Sequence, residues 1–296
     1  MIIDVHTHLP YHKIFAEGFL SGITESMFED ATQKLAIMSK ILLTTLNDDK
    51  GLKMMKQMDE ANIARSVLLI ADYGYSLGEA ALSIEEIHEL HRQVMNAFPE
   101  RFMVFAGVDP RRGQAGLDLF EKSIRDYKFR GLKLYPPCGF ELNDKEVFPL
   151  YELCKSYNVP VLTHTGPSLK KMRTEQKYPQ SILEVSREFK TVQFILAHGG
   201  ARDCATTVEV ARQRENVLFD ISAFQHYADD VAQQQRNFRM FFDQAPDQVL
   251  YGSDWPMYVF KGGQRKWIDF IINLDVLSGE ELDKLFYKNA SEKLSM

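Results

Sequence analysis

Eight short apolar runs, each followed by a stretch suited to a helix, restrict the fold of this chain more than any other feature. The runs are 2–5 (IIDV), 66–71 (SVLLIA), 102–108 (FMVFAGV), 130–135 (RGLKLY), 160–164 (PVLTH), 192–198 (VQFILAH), 217–221 (VLFDI) and 248–253 (QVLYGS). Several are almost continuously apolar, which is the pattern of parallel strands covered by helices. Ser83 with Glu86, and Ser278 with Glu281, have the spacing of capping boxes and predict helices through about 97 and about 292. Segments 115–127, 146–157, 179–189, 202–214 and 229–244 also suit helices. Eight βα alternations without a Pro/Gly-rich linker predict an α/β protein, a single (β/α)8 TIM barrel over residues 1–296. An open Rossmann-like sheet is the alternative, but no Gly-x-Gly-x-x-Gly follows any of the runs.

A length of 296 residues is usual for one barrel, and 45% apolar with 26% charged residues suits a large core under a wetted surface. The formal charge of -6 offers no basic field for nucleic acid or an acidic membrane. No segment reads as a spanning helix or a signal peptide, and Cys138, Cys154 and Cys204 form no Cys-x-x-Cys pair. These features predict a cytoplasmic enzyme with reduced thiols and a small-molecule substrate. Residues 9–60 are longer than one βα connection needs. Their first part, with Tyr11, His12, Phe15, Phe19, Phe28 and Met38, predicts an excursion of short helices over the barrel mouth.

The polar residues at the ends of the runs point to a metal. In Asp4-Val-His-Thr-His, His6 and His8 are one residue apart, so a strand turns both to one face. His164 ends Val-Leu-Thr-His-Thr-Gly, His198 ends Ile-Leu-Ala-His, and Asp254 closes Leu-Tyr-Gly-Ser-Asp-Trp-Pro. All fall at the carboxyl ends of predicted strands, where barrel active sites form. Imidazole and carboxylate together suit a borderline metal such as zinc, and a catalytic site keeps one position open.

This ordered set of motifs resembles the amidohydrolase-related family, the branch of the metal-dependent amidohydrolase superfamily that includes aminocarboxymuconate-semialdehyde decarboxylase. The resemblance runs from residue 2 to about 293, and Phe286 through Asn289-Ala290 is similar to the family's final helix. It implies one divalent metal, zinc first and manganese as the alternative, on His6, His8, His164 and Asp254. It also implies Asp254 as a proton acceptor, His198 beside the metal's water, and a homodimer. Lys133, in Gly-Leu-Lys, stands where binuclear members carry a carbamylated lysine. It is read here as a substrate cation or a structural partner, with one metal retained.

Other candidates are weaker. Lys133, Arg111, Arg112, Lys170, Lys171, Arg173 and Arg202 could bind a substrate carboxylate, and Tyr135, Phe140 and Trp255 could line an aromatic pocket. Asp72, Asp109 and Asp203 read as loop caps that could also hold a ligand histidine's second nitrogen. His12 and His226 lie in loops at the mouth. His88 and His91 are expected on the outer surface of their helix, with Leu82, Ile87, Leu90 and Val94 buried. The leading expectation is a hydrolase that uses metal-activated water on a small carboxylated or cyclic ester or amide. The alternative is a non-oxidative decarboxylase of an unsaturated or aromatic acid.

Overall fold

A computed structural model describes residues 1–294 except 28–31, 167, 170–171, 173–177 and 201–202. All eight predicted strands form: β1 (Ile3–Thr7), β2 (Arg65–Leu69), β3 (Phe102–Gly107), β4 (Gly131–Leu134), β5 (Val161–Thr163), β6 (Phe194–Leu196), β7 (Val217–Asp220) and β8 (Val249–Leu250). They lie in one parallel sheet in chain order. The sheet returns on itself where Val5 N donates to Tyr251 O at 3.0 Å and Thr7 bridges Trp255. This is the (β/α)8 barrel.

Alternation along each strand sorts the side chains into two layers. Ile3, Val5, Val67, Leu69, Phe105, Leu162, Ile195, Leu218 and Leu250 fill the barrel interior. Their neighbours Leu68, Val104, Leu132, Leu134, Val161, Leu196 and Phe219 pack against the helices. The helices hold their sequence-predicted places. Ser83 and Ser278 both make reciprocal capping boxes, on Ile84–Ala97 and Gly279–Asp283. The second continues through a π-turn, Lys284–Lys288, into Asn289–Leu294. Two helices were not anticipated, Leu52–Glu60 and Gly263–Asn273. Between β1 and β2 the chain forms Glu17–Met27 and Thr32–Thr45; Phe28 lies outside the described residues. No described helix is long and apolar enough to cross a membrane.

His88 and His91 overturn one expectation. Both are fully buried, not on the outer surface, because with Ile84, Ile87, Val94 and Met95 they share the inward face of Ile84–Ala97. Each imidazole Nδ1 donates to the carbonyl one turn back, Ile84 at 2.7 Å and Ile87 at 2.8 Å. Burial lowers their pKa values to about 4 and about 3, so both rings are neutral.

Candidate active site

The site begins with an irregularity in β1. Ile3 and Asp4 pair with Arg65 and Ser66, but Thr7 pairs with Leu68, so β1 spends three residues where β2 spends two. One extra residue reverses the facing of everything beyond it. Ile3 and Val5 therefore fill the barrel floor, and His6 and His8 still turn to its interior above them. Asp4 faces the helix layer. Its carboxylate accepts from Ser253 N (3.0 Å) and Gln264 Nε2 (3.0 Å), which ties β1 to the turn after β8. Its burial raises its pKa to about 7.

That turn carries Asp254, whose φ of 52° is left-handed and costs a non-glycine residue roughly 1–2 kcal/mol. Backbone bonds hold it there: Asp254 N to His6 O at 2.8 Å, and His8 N to Trp255 O at 2.7 Å. Gly252 makes the approach feasible. A β-carbon on it would stand 2.9 Å from that of His6 and 3.1 Å from that of Ser222. Nε2 of His6 and Nε2 of His8 then lie 3.6 and 3.5 Å from Asp254 Oδ1, with all three side chains buried.

The second nitrogens decide what these atoms can do. His8 Nδ1 donates to Leu69 O (2.9 Å), and His6 Nδ1 donates to Asp220 Oδ2 (2.8 Å). With the proton on Nδ1, each Nε2 presents a lone pair. Burial and the positive neighbour Lys133 push the His6 pKa well down, so the ring does not take a second proton. Two lone pairs and a carboxylate oxygen thus converge with no hydrogen between them. Such a donor set can hold a cation, and imidazole with carboxylate suits a divalent one. The residues fit the metal that the sequence implies.

His164 and His198 form the neighbouring pair. His198, at φ 66°, follows β6 and has its backbone N–H on Asp220 Oδ1 at 3.0 Å. Ser222 Oγ donates to the same carboxylate oxygen, so it must accept from His198 Nδ1, 2.8 Å away. His198 is held neutral by burial and by His164 and His6. Its Nε2 is then an acceptor, and the facing His164 Nδ1, at 3.1 Å, is the donor. That leaves Nε2 of His164 without a proton, the state a ligand requires. His164 is not, however, among the three residues whose ligand atoms converge.

Asp220 is the functional residue that the sequence reading missed. It is fully buried and joins His6, His198 and Ser222. A second acidic-histidine group, His6, His198 and Asp220, is accounted for by these hydrogen bonds without an ion. The signal was available. Leu218 faces the interior, so Asp220, two residues on in Val-Leu-Phe-Asp, must face it as well.

The remaining candidates divide sharply. Lys133 is buried on the inward face of β4, and Asp220 and Asp254 lie near enough to support its charge. Burial outweighs them and lowers its pKa to about 8. Among the described residues nothing hydrogen-bonds its ammonium. Tyr135, two residues on, lays its ring 4.4 Å from that of His164. Trp255 and Phe140 are buried in the core between strands and helices. Arg111 and Arg112 are committed to loop carboxylates, Arg111 to Asp109 (2.6 Å) and Arg112 to Asp72 (2.8 Å) and Glu79 (2.9 Å). Asp72, Asp109 and Asp203 act as loop caps, and the second nitrogens of the ligand histidines go to Asp220 and Leu69 instead. His12 is exposed and fastens to Leu46 O (3.1 Å), and His226 is half-buried beside the ring of Tyr227. Lys170, Lys171, Arg173 and Arg202 lie outside the described residues.

The family model described as amidohydrolase matches residues 3–294. No curated protein matches significantly. Among solved structures, the chain is similar to 5-carboxyvanillate decarboxylase from Novosphingobium aromaticivorans, complexed with manganese and 4-hydroxy-3-methoxy-5-nitrobenzoic acid. Identity there is 14%, with 99% of this chain and 95% of that chain covered and a TM-score of 0.69. It is also similar to 2,6-dihydroxybenzoate decarboxylase complexed with 2,6-dihydroxybenzoate (13% identity, 99% and 100% covered, TM-score 0.65). A third is 4-oxalomesaconate hydratase from Rhodopseudomonas palustris (19% identity, 100% and 96% covered, TM-score 0.62). At these identities the likeness is one of fold. With the family model spanning nearly all of it, this chain belongs to the amidohydrolase family.

Proposed function

We propose that the protein is a metal-dependent decarboxylase of a planar unsaturated or aromatic acid. The observation that carries this reading is the buried, unpartnered ammonium of Lys133 beside the converging His6, His8 and Asp254. Asp220 and Asp254 lie near this ammonium but neither hydrogen-bonds it; a buried donor left unmet is costly, and a substrate carboxylate relieves that cost. Hydrolysis of an ester or amide that carries no free acid needs no such partner. The similar decarboxylases favour the same reading, so we prefer the alternative to the hydrolase expected first from the sequence.

His6, His8 and Asp254, with His164 turned in, would hold the ion; zinc and manganese both suit this set. When bound, the ion supplies Lewis-acid polarisation and neutralises substrate charge. The chain's own residues do the rest. Lys133 pairs with the carboxylate and fixes its position. Asp254, beside Lys133, would deliver a proton to the carbon that bears the carboxylate. As that C–H bond forms, the carbon–carboxylate bond breaks, its electron pair returns to the conjugated system, and carbon dioxide leaves. His198, held neutral with its Nε2 accepting from His164, would orient that imidazole.

The test follows carbon dioxide and ultraviolet absorbance together while metal-loaded protein meets a panel of aromatic and unsaturated acids, lactones and amides. Carbon dioxide released in step with loss of an acid is expected. Turnover of a lactone or amide to acid without carbon dioxide would overturn the reading in favour of hydrolysis.

A further inference from the structure

Opposite the metal ligands, the site wall carries polar groups that nothing described so far uses. Tyr73 follows β2 and Tyr135 follows β4. Only 5% of the first and 8% of the second is exposed. Among the described residues neither hydroxyl has a hydrogen-bond partner. Buried phenol hydroxyls are normally paired. These two are also absent from the sealed, orphaned atoms of the interior, so they open onto space rather than packing.

Their surroundings show which space. The Tyr73 and Tyr135 rings meet edge to face at 5.0 Å. Tyr135 touches His164, and Tyr73 stacks at 4.5 Å on Phe19, which stacks on Phe15, whose ring faces His8 at 6.3 Å. The contacts continue from His164 through His198 and His6 back to His8. The rings close a circuit with metal ligands on one arc and the two tyrosines on the other. Phenols are protonated at neutral pH, so both hydroxyls can donate.

We infer that Tyr73 and Tyr135 together receive a second acceptor oxygen of the substrate, a phenolic oxygen or a second carboxylate on the same planar ring. This rests on the proposed reading of the site as one for planar acids and narrows the substrate class within it. Two neutral donors with no acceptor between them select an oxyanion over a ring hydrogen, because a buried donor left unmet costs more than one never desolvated. The aromatic wall of Phe15 and Phe19 suits a flat ring beside them. Tyr73 is thus a specificity-determining residue that no sequence motif marked.

Calorimetry on the metal-loaded protein tests this without turnover. Benzoate is compared with 2- and 3-hydroxybenzoate and with benzene-1,2- and 1,3-dicarboxylate. The protein should bind at least one hydroxybenzoate or dicarboxylate roughly ten- to hundred-fold more tightly than benzoate, the scale of a hydrogen bond to a charged group. The hydroxybenzoates and dicarboxylates tell which oxygen is read. Tyr73→Phe and Tyr135→Phe should each shrink that preference, with benzoate bound no more weakly than before and the protein still folded by circular dichroism. Equal affinities across the panel, no binding of any member, or a preference that survives both variants would overturn the inference. A preference that behaves as expected in a protein releasing no carbon dioxide would leave the tyrosine pair standing and remove the decarboxylase reading instead.

Discussion

The mouth of this barrel has two sides with opposite chemistry. On the side of β1, β7 and β8, every functional atom is an acceptor and every supporting atom is partnered. His6 leans on Asp220, His8 on Leu69 O, and Asp254 on the backbone of His6. On the side of β2 and β4, the functional atoms of Lys133, Tyr73 and Tyr135 are donors, and among the described residues none has a hydrogen-bond partner. The first side is fixed before anything binds, as a cation site must be. The second keeps its hydrogen-bonding capacity for the substrate. Selection on the first side acts through geometry, and on the second through which acceptor completes it.

The largest effect should follow from breaking the acceptor side. His6→Ala or His8→Ala should cost the chain its metal and bring turnover to background while circular dichroism stays that of a folded barrel. Metal content measured by elemental analysis checks this. Asp254→Asn keeps an oxygen donor but cannot hold the proton; its turnover should fall by on the order of 10²–10⁴, the scale of a positioned acid–base group. Asp220→Asn touches no metal, yet it removes the carboxylate that orients His6. Its metal affinity should drop roughly ten- to hundred-fold, readable by titration against a competing chelator. On the donor side, Lys133→Met should leave metal content unchanged and weaken binding of a carboxylate inhibitor. If Lys133→Met instead lost metal, the separation of the two sides would fail.

A smaller effect tests the fold beneath both sides. Gly252→Ala presses a methyl against His6 and Ser222 and should lower stability by about 1–3 kcal/mol, measured by denaturant unfolding. An effect confined to acid belongs to His88 and His91, whose folded pKa values are depressed to about 4 and about 3. The unfolded chain binds their protons below about pH 6.5, and the native state does not until far lower. Their contribution is therefore complete above pH 6.5 and declines as pH falls toward 4, by ~1.4 kcal/mol per pH unit for each ring. A double variant with leucine at both positions should flatten that slope.

The barrel was legible because its strands are near-continuous apolar runs and its helices announce themselves with Ser83 and Ser278. Position at the strand ends also marked His164, Lys133 and Tyr135 as candidates for the site. It could not foresee the extra residue in β1, since nothing in Ile-Asp-Val-His-Thr distinguishes a bulged strand from a regular one. His88 and His91 were misplaced because imidazole reads as polar, whereas a bond to the preceding turn's carbonyl removes half that polarity. Tyr73 was invisible for another reason. It sits in a loop, where no periodicity says which way a side chain points, and only the ring of contacts around the site reveals it.

The central claim is that His6, His8 and Asp254 hold a single catalytic ion in front of an anion-binding wall. Calorimetric titration of chelator-treated protein with zinc and with manganese, repeated on His8→Ala, tests it most directly. The account predicts one tight equivalent per chain, lost in the variant. Two tight equivalents, or one that His8→Ala leaves intact, would contradict it.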